Sequence, residues 1–183
     1  MLSIFLRRSL VRSLFCTERL YLVYMKTSYF SLVPLRGFID LLWITVETGA
    51  LPTKKDVNSI KRYLKSKVVP DEEECIGDDF YGLYFISAVQ MLCDFLESGD
   101  VFFLECIYGE LEVNLMDQRI FEVCAGGEYS SSSPSVEGVI VNHPGMVDLL
   151  KQLSEDKRVS EDIDFVRVEI DLAKKKSIRE IVV

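Results

Sequence analysis

The stretch from Pro34 to Gly49 (PLRGFIDLLWITVETG) most constrains what this chain can fold into. Leu35, Phe38, Ile39, Leu42 and Val46 recur with the 3.6-residue period of one helix face. Pro34 suits a first helical turn, where its missing N–H costs nothing, and Gly49 suits the residue just past a helix end. Trp43, the single tryptophan, sits beside the stripe. Such a stripe must be buried against another element, so the flanking stretches decide the architecture.

Most of those stretches also read as helices. Before the stripe, Phe5, Leu6, Leu10, Val11, Leu14, Phe15 and Leu22 predict an amphipathic first helix. The same segment is Arg-rich and has no acid before Glu18, so a mitochondrial presequence is a competing reading. Arg7, Arg8 and Arg12 interrupt the apolar core that a signal peptide needs, and no run of 18 apolar residues predicts a membrane span. A third helix follows Pro52, with Thr53 and Asp56 in a capping-box arrangement and Val57, Ile60 and Leu64 facing inward. Pro70 should stop it. A fourth is expected from about Asp79 to Glu97, with Phe80, Leu83, Tyr84, Ser87, Met91 and Phe95 inside and Gly99 at its end.

Two segments are ambiguous. Within 101–123, Val101, Leu104, Ile107, Leu111 and Leu115 fit a helix, while Leu111, Val113 and Leu115 also alternate. Within 163–172, Val166, Val168, Ile170 and Leu172 alternate as in a strand, and Ile163, Val166, Ile170 and Ala173 make a helical stripe; local pattern slightly favours the strand. Between them, residues 126–135 (GGEYSSSSPS) are a loop by composition. Asn142 or His143 then caps a helix starting at Pro144, with Met146, Leu149, Leu150 and Leu153 on its apolar face, and Ser160 is placed to cap a last helix.

At 183 residues, 49% hydrophobic and 27% charged, the chain fits one globular domain, 1–183, with enough length for its own core. Five cysteines, an odd number with no C-x-x-C pair, argue for reduced thiols buried as small hydrophobes, as in a cytoplasmic protein.

Charge is distributed unevenly. Between Asp71 and Glu137 lie sixteen acids and one base, Arg119, a local balance of −15 against −8 for the whole chain. Such a field repels nucleic acid and anionic lipid and attracts basic proteins or cations. The preceding helix carries Lys54, Lys55, Lys61, Arg62, Lys65 and Lys67, which a solvated face or intramolecular pairing with these acids explains.

Cys16-Thr17-Glu18-Arg19-Leu20, with Tyr24 following, resembles the first-helix motif of the YjaG-type family, a bacterial domain of unknown function. Leu35-Arg36 leading to Asp40-Leu41-Leu42-Trp43 is similar to its second-helix motif and is the most specific match. Pro70-Asp71-Glu72-Glu73 looks like that family's helix start, and His143-Pro144 and the segment Ala173 to Ile178 match later parts more weakly. The stretch between Tyr24 and Leu35 departs from the family by its shortness and lack of glycines, and the serine tract looks inserted. The resemblance implies an all-helical fold, which turns both ambiguous segments toward helix. It implies no enzymatic activity.

The expected fold is therefore an all-α, single-domain, multi-helical bundle, with a minor strand near the C-terminus as the one departure allowed. Asp71, Glu72, Glu73, Glu74, Asp78 and Asp79 are the candidate partner-binding residues. Their spacing is not that of an EF-hand loop, and a helix N-terminus favours acids through its dipole, so no metal or other cofactor is expected. Glu18, Arg19, Arg36, Asp40, Trp43 and His143 are motif residues of unassigned role. Asp40 lies four residues after Arg36, so the two can pair on one face; the first four form either a recognition cluster or structural ion pairs, the latter being the default. His143 has no nucleophile motif beside it, and no catalytic residue is expected. The charge pattern implies a non-catalytic domain that binds a basic protein, most concretely an immunity-type protein neutralising a bacterial toxin. A small-molecule-binding or housekeeping protein and a carboxylate-metal hydrolase are the alternatives.

Overall fold

A computed structural model of the protein describes residues 1–25, 32–66, 78–111, 138–139 and 142–177. Among the described residues there are seven helices and no strand. They are α1 (Ile4–Tyr24), α2 (Leu32–Thr48), α3 (Lys54–Lys65), α4 (Asp78–Ser98), α5 (102–111), α6 (Pro144–Asp162) and α7 (Arg167–Ser177).

α1 is the axis of the bundle and packs against α2, α4, α6 and α7. The Ser3 hydroxyl accepts from the Leu6 amide and starts the helix. Residues 13–20 are buried without a break. This corrects the expectation of a one-sided amphipathic helix: Phe5 is exposed, while Ser13, Thr17, Glu18 and Arg19 lie inside. A helix wrapped on all sides must have a polar partner for each of those groups. Ser13 Oγ lies 3.0 Å from both Ser9 O and Leu104 O, which ties α5 to α1. Thr17 Oγ1 donates to Ser13 O at 2.8 Å.

α2 buries the whole expected stripe, Leu35, Phe38, Ile39, Leu42 and Val46, together with Trp43. Trp43 meets Phe15 edge to face, with ring centroids 6.1 Å apart. Gly49 takes a φ of +70°, a left-handed conformation that glycine adopts without strain, and its amide closes the helix on Thr45 O at 2.8 Å. Arg7 of α1 completes that end by donating from Nε and Nη2 to Val46 O and Glu47 O, each at 2.7 Å.

α3 has its capping box: the Asp56 amide donates to Thr53 Oγ1 and the Thr53 amide to Asp56 Oδ2. Its apolar face is Val57, Ile60 and Leu64, as expected. On α4 the inner face is rotated from the expected one. Phe85, Ala88, Val89, Leu92, Cys93 and Phe95 are buried, whereas Tyr84, Ser87 and Met91 are half-buried. The rotation follows from α4 being gripped on two sides, by α1 and by α3. The Phe80 side chain and Pro70 lie outside the described residues, as do the loop at 126–135 and residues 112–123.

Both ambiguous segments are built on helix, over 102–111 in the first and from Arg167 onward in the second, and neither forms a strand where described. α5 opens on Asp100, whose Oδ1 accepts from the Phe102 amide at 3.0 Å, and buries Leu104, Ile107 and Leu111. α6 runs on through Ser160, which is buried in its last turn and donates to Lys157 O, so Ser160 does not cap the last helix. The break comes at Ile163, in extended backbone, and Phe165, with φ 59°. α7 buries Ile170 and Ala173 and leaves Leu172 exposed, with Val166 exposed just before it; packing on α1 and α2 selects the helical stripe over the alternation. Leu150, expected inside α6, is exposed.

Candidate functional site

Glu18 and Arg19 are neighbours on α1, about 100° apart around the axis, and so face different helices. Glu18 turns to α2. Arg36, Asp40 and Trp43 lie there at i, i+4 and i+7, one face of the helix. Arg36 donates to Glu18 through Nη1 at 2.5 Å and Nη2 at 2.8 Å, a bidentate pair. The same guanidinium reaches Asp40 at 2.8 and 3.3 Å, the expected i,i+4 pair. Trp43 Nε1 donates to Glu18 Oε1 at 3.0 Å. Lys174 of α7 donates to Asp40 Oδ1 at 2.5 Å. The order Glu18, Arg36, Asp40, Lys174 alternates in sign and leads outward, from a side chain 1% exposed to one 43% exposed at Asp40.

The electrostatics follow from this geometry. Burial works to lower the Arg36 pKa, but its hydrogen bonds to Glu18 and Asp40 outweigh it and raise the pKa. The hydrogen bonds from Arg36, joined by that of Lys174, hold Asp40 below the usual carboxylate range against its partial burial. Glu18 accepts three donors from the protein and is closed off from anything in solution. The network is built as a fastener joining α1, α2 and α7.

Arg19 turns to α6 and forms an ion pair with Asp156, the side chains 2% and 9% exposed. Cys16 lies one helical turn before it; burial pushes its thiol up to about 12, Arg19 pulling down and Asp156 pushing up. A thiol so held is inert at neutral pH. His143 stands apart as the N-cap of α6, its Nδ1 accepting from the Gly145 amide at 3.2 Å.

The motif residues thus divide into three places: Glu18, Arg36, Asp40 and Trp43 together, Arg19 on Asp156, and His143 at a helix start. Lys174 and Asp156 were not singled out from the sequence. Nothing local marks them, because each is defined by a partner far along the chain. Asp71, Glu72, Glu73 and Glu74 lie outside the described residues, and Asp78 and Asp79 open α4 with side chains also outside them. Among the described residues no three His, Cys, Asp or Glu side chains gather as metal ligands, and no helix is long and apolar enough to cross a membrane.

No protein-family model, curated protein or solved structure matches the chain.

Proposed function

We propose that the protein is a non-catalytic binding domain that captures a basic protein through its acidic middle, most concretely an immunity-type protein that neutralises a basic bacterial toxin. The observation that carries this reading is the charge asymmetry, sixteen acids against one base between Asp71 and Glu137. Internal pairing supports it from the other side. The motif residues Glu18, Arg19, Arg36 and Asp40 are paired with one another or with Asp156 and Lys174, so charge available to a partner lies elsewhere. Within the acidic stretch, Asp100 and Glu105 are exposed, at the turn before α5 and on α5. The bacterial, cytoplasmic setting of the reading comes from the YjaG-type resemblance.

An acidic surface of this kind accelerates encounter with a basic cleft, while packed anchors set the off-rate. Exposed charges separated by more than about 8–10 Å are screened at physiological salt, so capture should weaken steeply as salt rises. The test compares the wild type with the Glu72→Gln, Glu73→Gln, Glu74→Gln triple variant as baits in host extract, at low and high salt, with bound proteins identified by mass spectrometry. A basic protein recovered by the wild type at low salt, and lost both in the variant and at high salt, is the expected result. Equal recovery in all four conditions rejects electrostatic capture.

A further inference from the structure

Away from the ion-pair network, a cavity of about 270 Å3 opens between α1 and α5. Ser9, Arg12 and Ser13 line one wall, at i, i+3 and i+4 on α1; Leu104, Glu105 and Tyr108 line the other. Ser13 and Leu104 form a finished floor. The Ser13 hydroxyl is spent on Ser9 O and Leu104 O, and both side chains are buried. The remaining polar groups are not spent.

The Arg12 guanidinium lies over the Tyr108 ring, 4.5 Å from its centroid. Its Nε is buried and has no hydrogen-bond partner. Glu105 shares the cavity, yet it is not among the ion pairs of the described residues, and neither is Arg12. A buried guanidinium N–H without a partner is costly, and opposite charges on facing walls normally collapse onto each other. Here Arg12 lies on the Tyr108 ring instead, and among the described residues the two charges stay unpaired. A cation and an anion kept separate in one cavity match a ligand that carries both charges.

We propose that this cavity binds a small zwitterion, a free α-amino acid, with its carboxylate on Arg12 and its ammonium on Glu105. The Ser9 hydroxyl adds a hydrogen bond to the carboxylate. Leu104 and the Tyr108 ring offer apolar surface to the ligand's side chain. The volume falls just below the range of roughly 300–1,000 Å3 that holds drug-sized molecules, which limits the ligand to amino-acid size. The α5 wall, with Glu105, belongs to the acidic middle, and the α1 wall, with Arg12, does not, so Arg12→Gln separates amino-acid binding from capture by that stretch.

The test is a titration of the 15N-labelled protein with each of the twenty amino acids, followed by the N-acetyl and amide derivatives of the best binder. Saturable shifts of the Ser9, Arg12, Leu104 and Tyr108 amide signals, with a Kd of about 1 mM or tighter, are expected. Blocking either ligand charge, or substituting Arg12→Gln or Glu105→Gln, should each weaken binding by at least about tenfold, the effect of one lost charged hydrogen bond. Glu105 is exposed, so Glu105→Gln tests the site without endangering the fold. The proposal is overturned if no amino acid saturates the protein below about 10 mM. It is equally overturned if the acetylated or amide form binds as well as the parent, or if Glu105→Gln leaves the affinity unchanged.

Discussion

Glu18 and Glu97 are each paired with a cation at almost the same distance, 2.5 Å to Arg36 and 2.7 Å to Lys61, yet the two pairs differ in what they contribute. Glu18 is 1% exposed and Glu97 46%. Charges moved out of water pay a desolvation cost that only their partners offset, so losing one partner strands the other. Charges at the surface return to water when separated, and the pair is worth little. Burial, and not separation, therefore sets the energy, and the region around α1 should respond to substitution quite differently from the α3–α4 surface.

The largest effect belongs to the interior. Arg19→Ala leaves Asp156 unpaired, and Glu18→Ala leaves Arg36 and the Trp43 N–H with fewer acceptors. Each should destabilise the fold by about 3–5 kcal/mol. For a chain of this size that lowers the thermal midpoint by roughly 6–20 °C. Replacing both members of the Arg19–Asp156 pair, Arg19→Met with Asp156→Leu, should recover most of the loss, because neither charge of that pair then remains buried. Urea unfolding of the three variants measures this. A cost for Arg19→Ala below about 1 kcal/mol would erase the distinction between the two regions.

Asp40 is intermediate, half-exposed yet held by Arg36 and Lys174. Its pKa is depressed in the folded protein, chiefly by the Arg36 hydrogen bonds. A depressed carboxylate contributes stability that is present above its unfolded value, about 3.9, and is lost as pH falls through the lower folded value. Asp40→Asn should therefore flatten the loss of stability with acid below about pH 4, while costing some stability at pH 7. Urea midpoints across a pH series read both effects. Parallel acid limbs for wild type and variant would show that the outer end of the network behaves as ordinary surface.

What could be read in the sequence follows the same division. The Arg36–Asp40 pair was legible because both residues sit one turn apart on a helix that the Pro34–Gly49 stretch announces. The capping box at Thr53 and, to within the choice of Asn142 or His143, the cap of α6 were legible for the same reason, as local hydrogen bonds need only local residues. Glu18 and Arg19 were visible as a motif, but their burial was not, since a charge in a helix reads as a solvent-facing position until a distant partner turns it inward. Lys174 meets Asp40 across 134 residues, and no window of sequence contains that contact. The α1 pattern misled for a related reason: its stripe is real, but the opposite face is also covered. In α7, alternation and helical stripe coexist in the same residues, and packing against α1 and α2 decides between them.

The smallest effect is expected where the comparison began, on the α3–α4 surface. Lys61 Nζ bridges Asp94 at 3.0 Å and Glu97 at 2.7 Å, so the basic helix does neutralise part of the acidic stretch. Hydrogen bonds to Glu97 and then Asp94 raise the Lys61 pKa. A raised lysine contributes stability that is fully present below its unfolded value, about 10.4, and is lost as pH rises through the higher folded value. Lys61→Ala should cost no more than about 1 kcal/mol at neutral pH, the usual range for an exposed pair. The cost should largely disappear in about 1 M salt, where the screening length falls to about 3 Å. The cost of Arg19→Ala should persist there, because salt does not enter the interior. Unfolding of both variants at low and high salt makes the contrast in a single experiment. If Lys61→Ala keeps its full effect in salt, the side chain acts through its buried methylene stem and not through its charge, and the surface pair then belongs with the core.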